Sequence, residues 1–250
     1  MSGHSKWSTI KRKKGKADAE RGRLFTKLIR ELVVAAREGG GDPESNPRLR
    51  TAVDNARGSN MPAANIDKAI KRGTGELPGV SYEAVTYEGY GPQGVAIMVE
   101  VLTDNKNRTT AEIRHILTKY GGNMGEVGCV SWMFHQKGSV VVEKSRTTED
   151  DLMMVALDAG AEDVKDEGEF FEVVTGPAGL EKVKGALGQS GIEFTSSELT
   201  RIPQTTIKLE GKDAERILKV VDALEDNDDV QKVYSNFDVP DDVLDQLGKE

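Results

Sequence analysis

Residues 139–203, SVVVEKSRTTEDDLMMVALDAGAEDVKDEGEFFEVVTGPAGLEKVKGALGQSGIEFTSSELTRIP, decide the fold of this chain. The apolar run at 140–143 reads as a strand. Thr148, with Glu149, Asp150 and Asp151 behind it, then opens a helix to 159: the hydroxyl caps it and the acids face its positive end. Residues 161–165 and 169–175 read as strands, 179–189 repeat apolar positions at helical spacing, and 193–202 hold a last strand. Strand, helix, strand, strand, helix, strand is the order of a ferredoxin-like split unit.

The residues on either side of this block fit together around it. Upstream, GTGELPG at 73–79 is a linker between two compositions. Before it, Leu24, Phe25, Leu28, Ile29, Leu32 and Val33 recur at helical spacing within 17–38, and Gly39 to Pro43 stop that helix. Asn46 and Pro47 open a second helix as cap and first-turn proline, with Leu49, Val53 and Ala56 inward. A third lies between Pro62 and Gly73, and three such helices bury one another's stripes. After the linker, 82–88 and 95–103 read as strands and 107–120 as a helix. Val130, Trp132 and Phe134, alternating with Ser131, Met133 and His135, read as a half-buried strand. This block lacks one helix, which the strand, helix and strand at 205–209, 214–224 and 230–235 supply from beyond residue 203. The expected fold class is α+β in three domains. A basic arm and three-helix head occupy 1–78, and a middle ferredoxin-like α+β domain is made of 79–138 plus 204–250. The ferredoxin-like domain 139–203 is inserted into the middle one.

Charge divides the chain in the same way. Residues 1–75 hold 17 Lys and Arg against 8 Asp and Glu, while the other 175 residues hold 17 against 34. The pI near 5.2 therefore hides a basic head on an acidic body. Clustered cations attract polyanions and a surplus of carboxylates repels them. The single cysteine, Cys129, excludes an intramolecular disulfide framework. No run approaches the ~18–20 consecutive apolar residues of a membrane span. The N-terminus is charged without the apolar segment of a secretory signal. A cytoplasmic protein without a membrane partner is expected, and a monomer, because no dimer seam is visible.

Nothing in the pattern points to catalysis. Gly89-Tyr90-Gly91-Pro92-Gln93-Gly94 matches a dinucleotide fingerprint by letter. That loop must lead from a strand into a helix; here Pro92 lies inside it and a β-rich run follows, so a hairpin is expected. Cys129 and His135 are about 20 Å apart on an extended strand, too far for a dyad. Three histidines and one cysteine without short spacing give no zinc pattern. The acidic clusters at 149–151, 162–169 and 225–229 read as solvated helix ends and turns. No catalytic residue, metal or cofactor is expected.

The head reads as a nucleic-acid surface. On the arm, Lys6, Lys11, Arg12, Lys13, Lys14 and Lys16 interleave with Trp7. Cations there neutralise phosphates, and Trp7 either stacks on an unpaired base or anchors the arm. Arg23, Lys27 and Arg30 follow i, i+4, i+7 spacing and share one helix face. Lys68, Lys71 and Arg72 add a second basic edge. A further anion site is conceivable at the helix start near 107, with Asn107 or Thr109 as cap and Arg108 and Arg114 near free amides; a plain cap with surface arginines is the alternative.

These residues carry a resemblance. Gly3-His4-Ser5-Lys6-Trp7, Gly22-Arg23-Leu24-Phe25, Lys27-Leu28-Ile29-Arg30-Glu31, Gly40-Gly41-Asp42-Pro43, Asn46-Pro47-Arg48-Leu49-Arg50, Tyr87-Glu88-Gly89-Tyr90 and Asn107-Arg108-Thr109 resemble the YebC/PmpR family. The likeness implies a helical head plus two α+β domains. It also implies a transcriptional regulator that binds promoter DNA. Mitochondrial relatives activate translation of a respiratory-oxidase subunit, and bacterial members are tied to ribosomes stalled on proline stretches. The implied alternative is thus a ribosomal-RNA-binding translation factor that assists difficult, for example proline-rich, stretches. A basic-aromatic arm suits an irregular RNA surface, whereas the family label points to DNA. Basic charge alone does not choose between them.

Overall fold

The computed structural model describes residues 18–240 and Val243. Helix α1 (Asp18–Gly39) is followed by α2 (Pro47–Gly58) and α3 (Ala63–Thr74). Next come β1 (Glu83–Tyr90), β2 (Ala96–Thr103), α4 (Lys106–Lys119) and β3 (Asn123–Met124). The chain continues through β4 (Phe134–Glu143), α5 (Glu149–Asp158), β5 (Asp163–Asp166), β6 (Phe170–Thr175), α6 (Leu180–Gln189) and β7 (Ser196–Pro203). It ends with β8 (Ile207–Lys208), α7 (Gly211–Glu225), β9 (Val230–Ser235) and β10 (Phe237–Asp238). The fold is α+β.

In the head, Leu32, Val33, Ala35 and Ala36 of α1 pack on Leu49, Ala52, Val53 and Ala56 of α2 and on Ile66 and Ala69 of α3. Asn46 closes the turn between α1 and α2 from both sides. Its side-chain oxygen accepts from Leu49 N at 3.1 Å, and its amide donates to the Ala35 and Gly40 carbonyls at 2.8 Å each. Gly73 sets the approach of α3: a Cβ there would lie 2.5 Å from the Val33 carbonyl oxygen and 2.6 Å from Ala36 Cβ.

The first sheet has the order β3-β1-β2-β9, with β1 antiparallel to both β2 and β3. Tyr90 pairs with Ala96 across a 3-10 turn at Pro92–Gly94, so the glycine-rich loop is the expected hairpin. Strand β2, flanked on both sides, is nearly all buried, as its apolar run demands. The second sheet has the order β5-β6-β4-β7, antiparallel throughout, which is the ferredoxin-like arrangement. Val140, Val142, Phe171 and Val173 meet Leu152 and Ala156 of α5 and Val183 and Leu187 of α6. Thr148 caps α5 through Asp151 N.

Three local expectations fail. Residues 130–133 are not strand: Ser131–Met133 form a 3-10 turn that leaves Trp132 65 % exposed, and β4 begins only at Phe134. Three apolar residues in alternation are too few to separate a strand from such a turn. Strand β4 then runs unbroken to Glu143, so the expected boundary at 139 falls inside it. Gly138, inside that strand, is a close contact, where a Cβ would meet Thr175 Cγ2 at 2.6 Å. The residues at 205–209 pair with β10 as a small parallel sheet, not with the first sheet. By contacts the described residues form two compact units, 18–129 with Gly211–Val233, and Val130–Glu210 with 234–240. The head and the first sheet share the first of these.

Candidate nucleic-acid interface

Of the expected interface residues, Lys6, Trp7, Lys11, Arg12, Lys13, Lys14 and Lys16 lie outside the described residues. The others divide into a closed face and an open one.

Arg23, Lys27 and Arg30 do share a face of α1, and that face is turned onto the segment that follows α7. Arg23 meets Asp226 at 3.2 Å. Lys27 Nζ donates to the Glu225 carbonyl at 2.5 Å, at the end of α7 where carbonyls lack helical partners and the dipole is negative. Arg30 is only 12 % exposed; it pairs with Asp229 at 2.5 Å, donates to the Asp228 and Leu102 carbonyls, and lies 5.3 Å over the Tyr82 ring. The expectation that Arg30 faces phosphate is therefore corrected. Helical spacing identified a shared face, but it carried no information about what that face meets.

Asp229 is the centre of this contact. It is 3 % exposed and accepts from Thr109 Oγ1 at 2.5 Å, Arg108 at 2.8 Å and Thr103 Oγ1 at 3.1 Å, besides Arg30. Burial pushes its carboxyl up, yet the Thr109 hydroxyl and the Arg108 and Arg30 guanidinium groups outweigh that and hold it below the usual carboxylate range. The same bond to Asp229, with a second to Asp104 at 2.8 Å, raises Arg108. The further anion site is accordingly not assembled. Asn105, not Asn107 or Thr109, caps α4 by accepting from Arg108 N at 3.1 Å, and Thr109 is buried against Asp229. Arg108 faces three carboxylates, Asp104, Asp229 and Glu112, while Asn107 and Arg114 are exposed. Sequence reasoning missed Asp229 because one buried acid within Glu225-Asp226-Asn227-Asp228-Asp229 looks like its solvated neighbours.

The open face belongs to α3. Lys68, Lys71 and Arg72 are exposed, and none has an ion pair among the described residues. Asn65 is exposed at i, i+3, i+7 spacing with Lys68 and Arg72. Ile66 and Ala69 hold the opposite side of the helix in the head core. No side chain caps the start of α3. Four residues, 59–62, join α2 to α3, a turn of helix-turn-helix length. Arg57, in the last turn of α2, is likewise exposed without an ion pair among the described residues; as a lone cation it gave no spacing signal.

The thiol of Cys129 is pushed up by burial and by nearby Glu88, the opposite of an activated nucleophile. Among the described residues no group of three His, Cys, Asp or Glu side chains is placed to hold a metal ion, and no helix is long and apolar enough to cross a membrane.

Comparison with known proteins covers nearly the whole chain. Residues 5–76 match the model of the TACO1/YebC protein N-terminal domain, and residues 82–237 match that of the TACO1/YebC second and third domain. A protein of Desulforapulum autotrophicum named probable transcriptional regulatory protein is 60 % identical over 247 residues, 99 % of this chain and 100 % of the relative. One of the same name from Dictyoglomus turgidum is 57 % identical over 248 residues, again 99 % and 100 %. The crystal structure of a conserved hypothetical protein from Aquifex aeolicus superposes with a TM-score of 0.82 at 48 % identity, covering 90 % of this chain and 93 % of that one.

Proposed function

The chain belongs to the TACO1/YebC family, and from that membership we propose that it is a non-enzymatic, cytoplasmic, DNA-binding regulator of transcription that reads its target through α3. The name that its relatives carry supports the regulator reading. The observation that carries the interface is the exposed set Lys68, Lys71 and Arg72, without an ion pair among the described residues, on a helix anchored by its other side. In this reading α3 is the second helix of a helix-turn-helix. Asn65 faces base edges, and the lysines, the arginine and the uncapped first amides hold phosphates. The basic arm, Lys6 to Lys16 with Trp7, adds sequence-independent affinity. Arg23, Lys27 and Arg30 take no part, because they are turned onto residues 225–229.

Crosslinking in cells followed by sequencing of the recovered nucleic acid tests the proposal. Discrete genomic sites are the expected result. Reads dominated by ribosomal RNA would contradict it and favour a translation factor.

A further inference from the structure

Helix α5 presents a surface that its own unit does not use. Leu152 and Ala156 face the core, while Met153, Met154 and Leu157 are 36, 66 and 43 % exposed. These are three of the eight large apolar side chains exposed among the described residues, and no other helix there exposes more than one. At i, i+1, i+4 they form one continuous stripe, with Asp150 a turn before Met153 and Met154. Glu149 and Asp158 border the stripe on its two sides. Glu149, Asp150 and Asp158 have no ion pair among the described residues.

Elsewhere in the unit Glu162 pairs with Lys137, Asp166 with Lys144, Glu193 with Arg146 and Glu181 with Lys184. Residues 139–203 carry 14 Asp and Glu against 6 Lys and Arg, so a polyanion is repelled from this face and a polycation drawn to it. Exposed methionines are flexible and polarisable, and fit apolar side chains of varied shape. An apolar stripe rimmed by carboxylates with no ion pair among the described residues complements a helix with an apolar side and lysines or arginines beside it.

We propose that the Met153–Met154–Leu157 face of α5 docks a cationic amphipathic helix of a partner protein, with Glu149, Asp150 and Asp158 receiving its positive charges. The surface belongs to a different compact unit from α3 and is opposite in charge, so it gives the protein a protein-binding surface besides its nucleic-acid surface.

The test is a fluorescence-anisotropy titration of the full chain against a labelled peptide, LKKLLKLLKKLLKL, with LEELLELLEELLEL as the control of reversed charge. The lysine peptide is expected to bind and the glutamate peptide not. The pair Met154→Gln and Leu157→Gln should weaken binding about tenfold. The pair Asp150→Asn and Asp158→Asn should weaken it and flatten its salt dependence. Glu215→Gln, on α7, should leave it unchanged. All substituted side chains are exposed, and unchanged thermal unfolding of each variant confirms intact folding. Equal binding by every variant would show attraction by overall acidity alone and overturn the proposal, as would no binding by the wild type. A concentration-dependent dimer abolished by the Met154/Leu157 pair would assign the face to a second copy of the chain. Binding that strengthens on removal of residues 1–16 would assign it to the chain's own arm. Either outcome overturns the proposal.

Discussion

Asp229 shows how little of a site one residue's sequence context reveals. Its neighbours Asp226 and Asp228 lie toward the surface, yet Asp229 is buried among two hydroxyls and two guanidinium groups. The second arginine, Arg108, was legible as a helix-start cation but not as the partner of a carboxylate some 120 positions away. Replacing Asp229 by Asn leaves Arg30 without its countercharge, and a broken buried pair costs about 3 kcal/mol. Urea unfolding of Asp229→Asn should show a loss of that size. Because the folded carboxyl lies below its ordinary value, its contribution is complete above about pH 4 and fades as pH falls through the folded pKa. Wild-type stability should therefore drop more steeply than that of Asp229→Asn as solutions are acidified below pH ~4. Parallel acid profiles would remove Asp229 from the account.

Among the elements, the three head helices were readable from periodicity and caps, because each buries its own stripe and stops at glycine or proline. Their basic faces were not, because the two faces met different surroundings: that of α1 meets residues 225–229, while that of α3 makes no ion pair among the described residues. Arg23→Gln with Lys27→Gln removes surface-type contacts worth about 0.2–1 kcal/mol each. A small loss in thermal stability with unchanged nucleic-acid affinity is expected, and a large drop in affinity would restore α1 to the interface. The placement of α3 depends on Gly73, where a Cβ would strike the Val33 carbonyl and Ala36. Gly73→Ala should destabilise by about 1–3 kcal/mol through this overpacking, measured by the same urea titration. No change would mean that α1 and α3 separate more easily than their packing implies. The missed pieces, β3 and β10, are two-residue strands whose existence depends on pairing and not on local pattern.

Across the whole molecule, the strand, helix and strand after 203 have no closed unit of their own in the sequence pattern. The structure gives α7 and β9 to the first unit, where Ile217, Leu218, Val221 and Leu224 are buried and β9 borders β2. A chain ended at residue 210 should lose cooperative unfolding of the first sheet; retention of that transition would contradict the arrangement. The charge asymmetry also takes a different form at this scale. Part of the basic head neutralises the acidic body from within, so fewer cations face outward than the sequence count suggests. The cations that remain outward on α3 are the ones that would meet phosphate, and salt dependence reads them out. Binding of duplex DNA should be titrated across salt concentrations for the wild type, for Lys68→Gln with Lys71→Gln and Arg72→Gln, and for Arg23→Gln with Lys27→Gln. Each lost phosphate contact lowers the slope of log affinity against log salt by about 0.9. A loss of up to about 3 is expected for the α3 variant and none for the α1 variant; an unchanged slope in the first, or a reduced one in the second, would overturn the placement of the interface on α3.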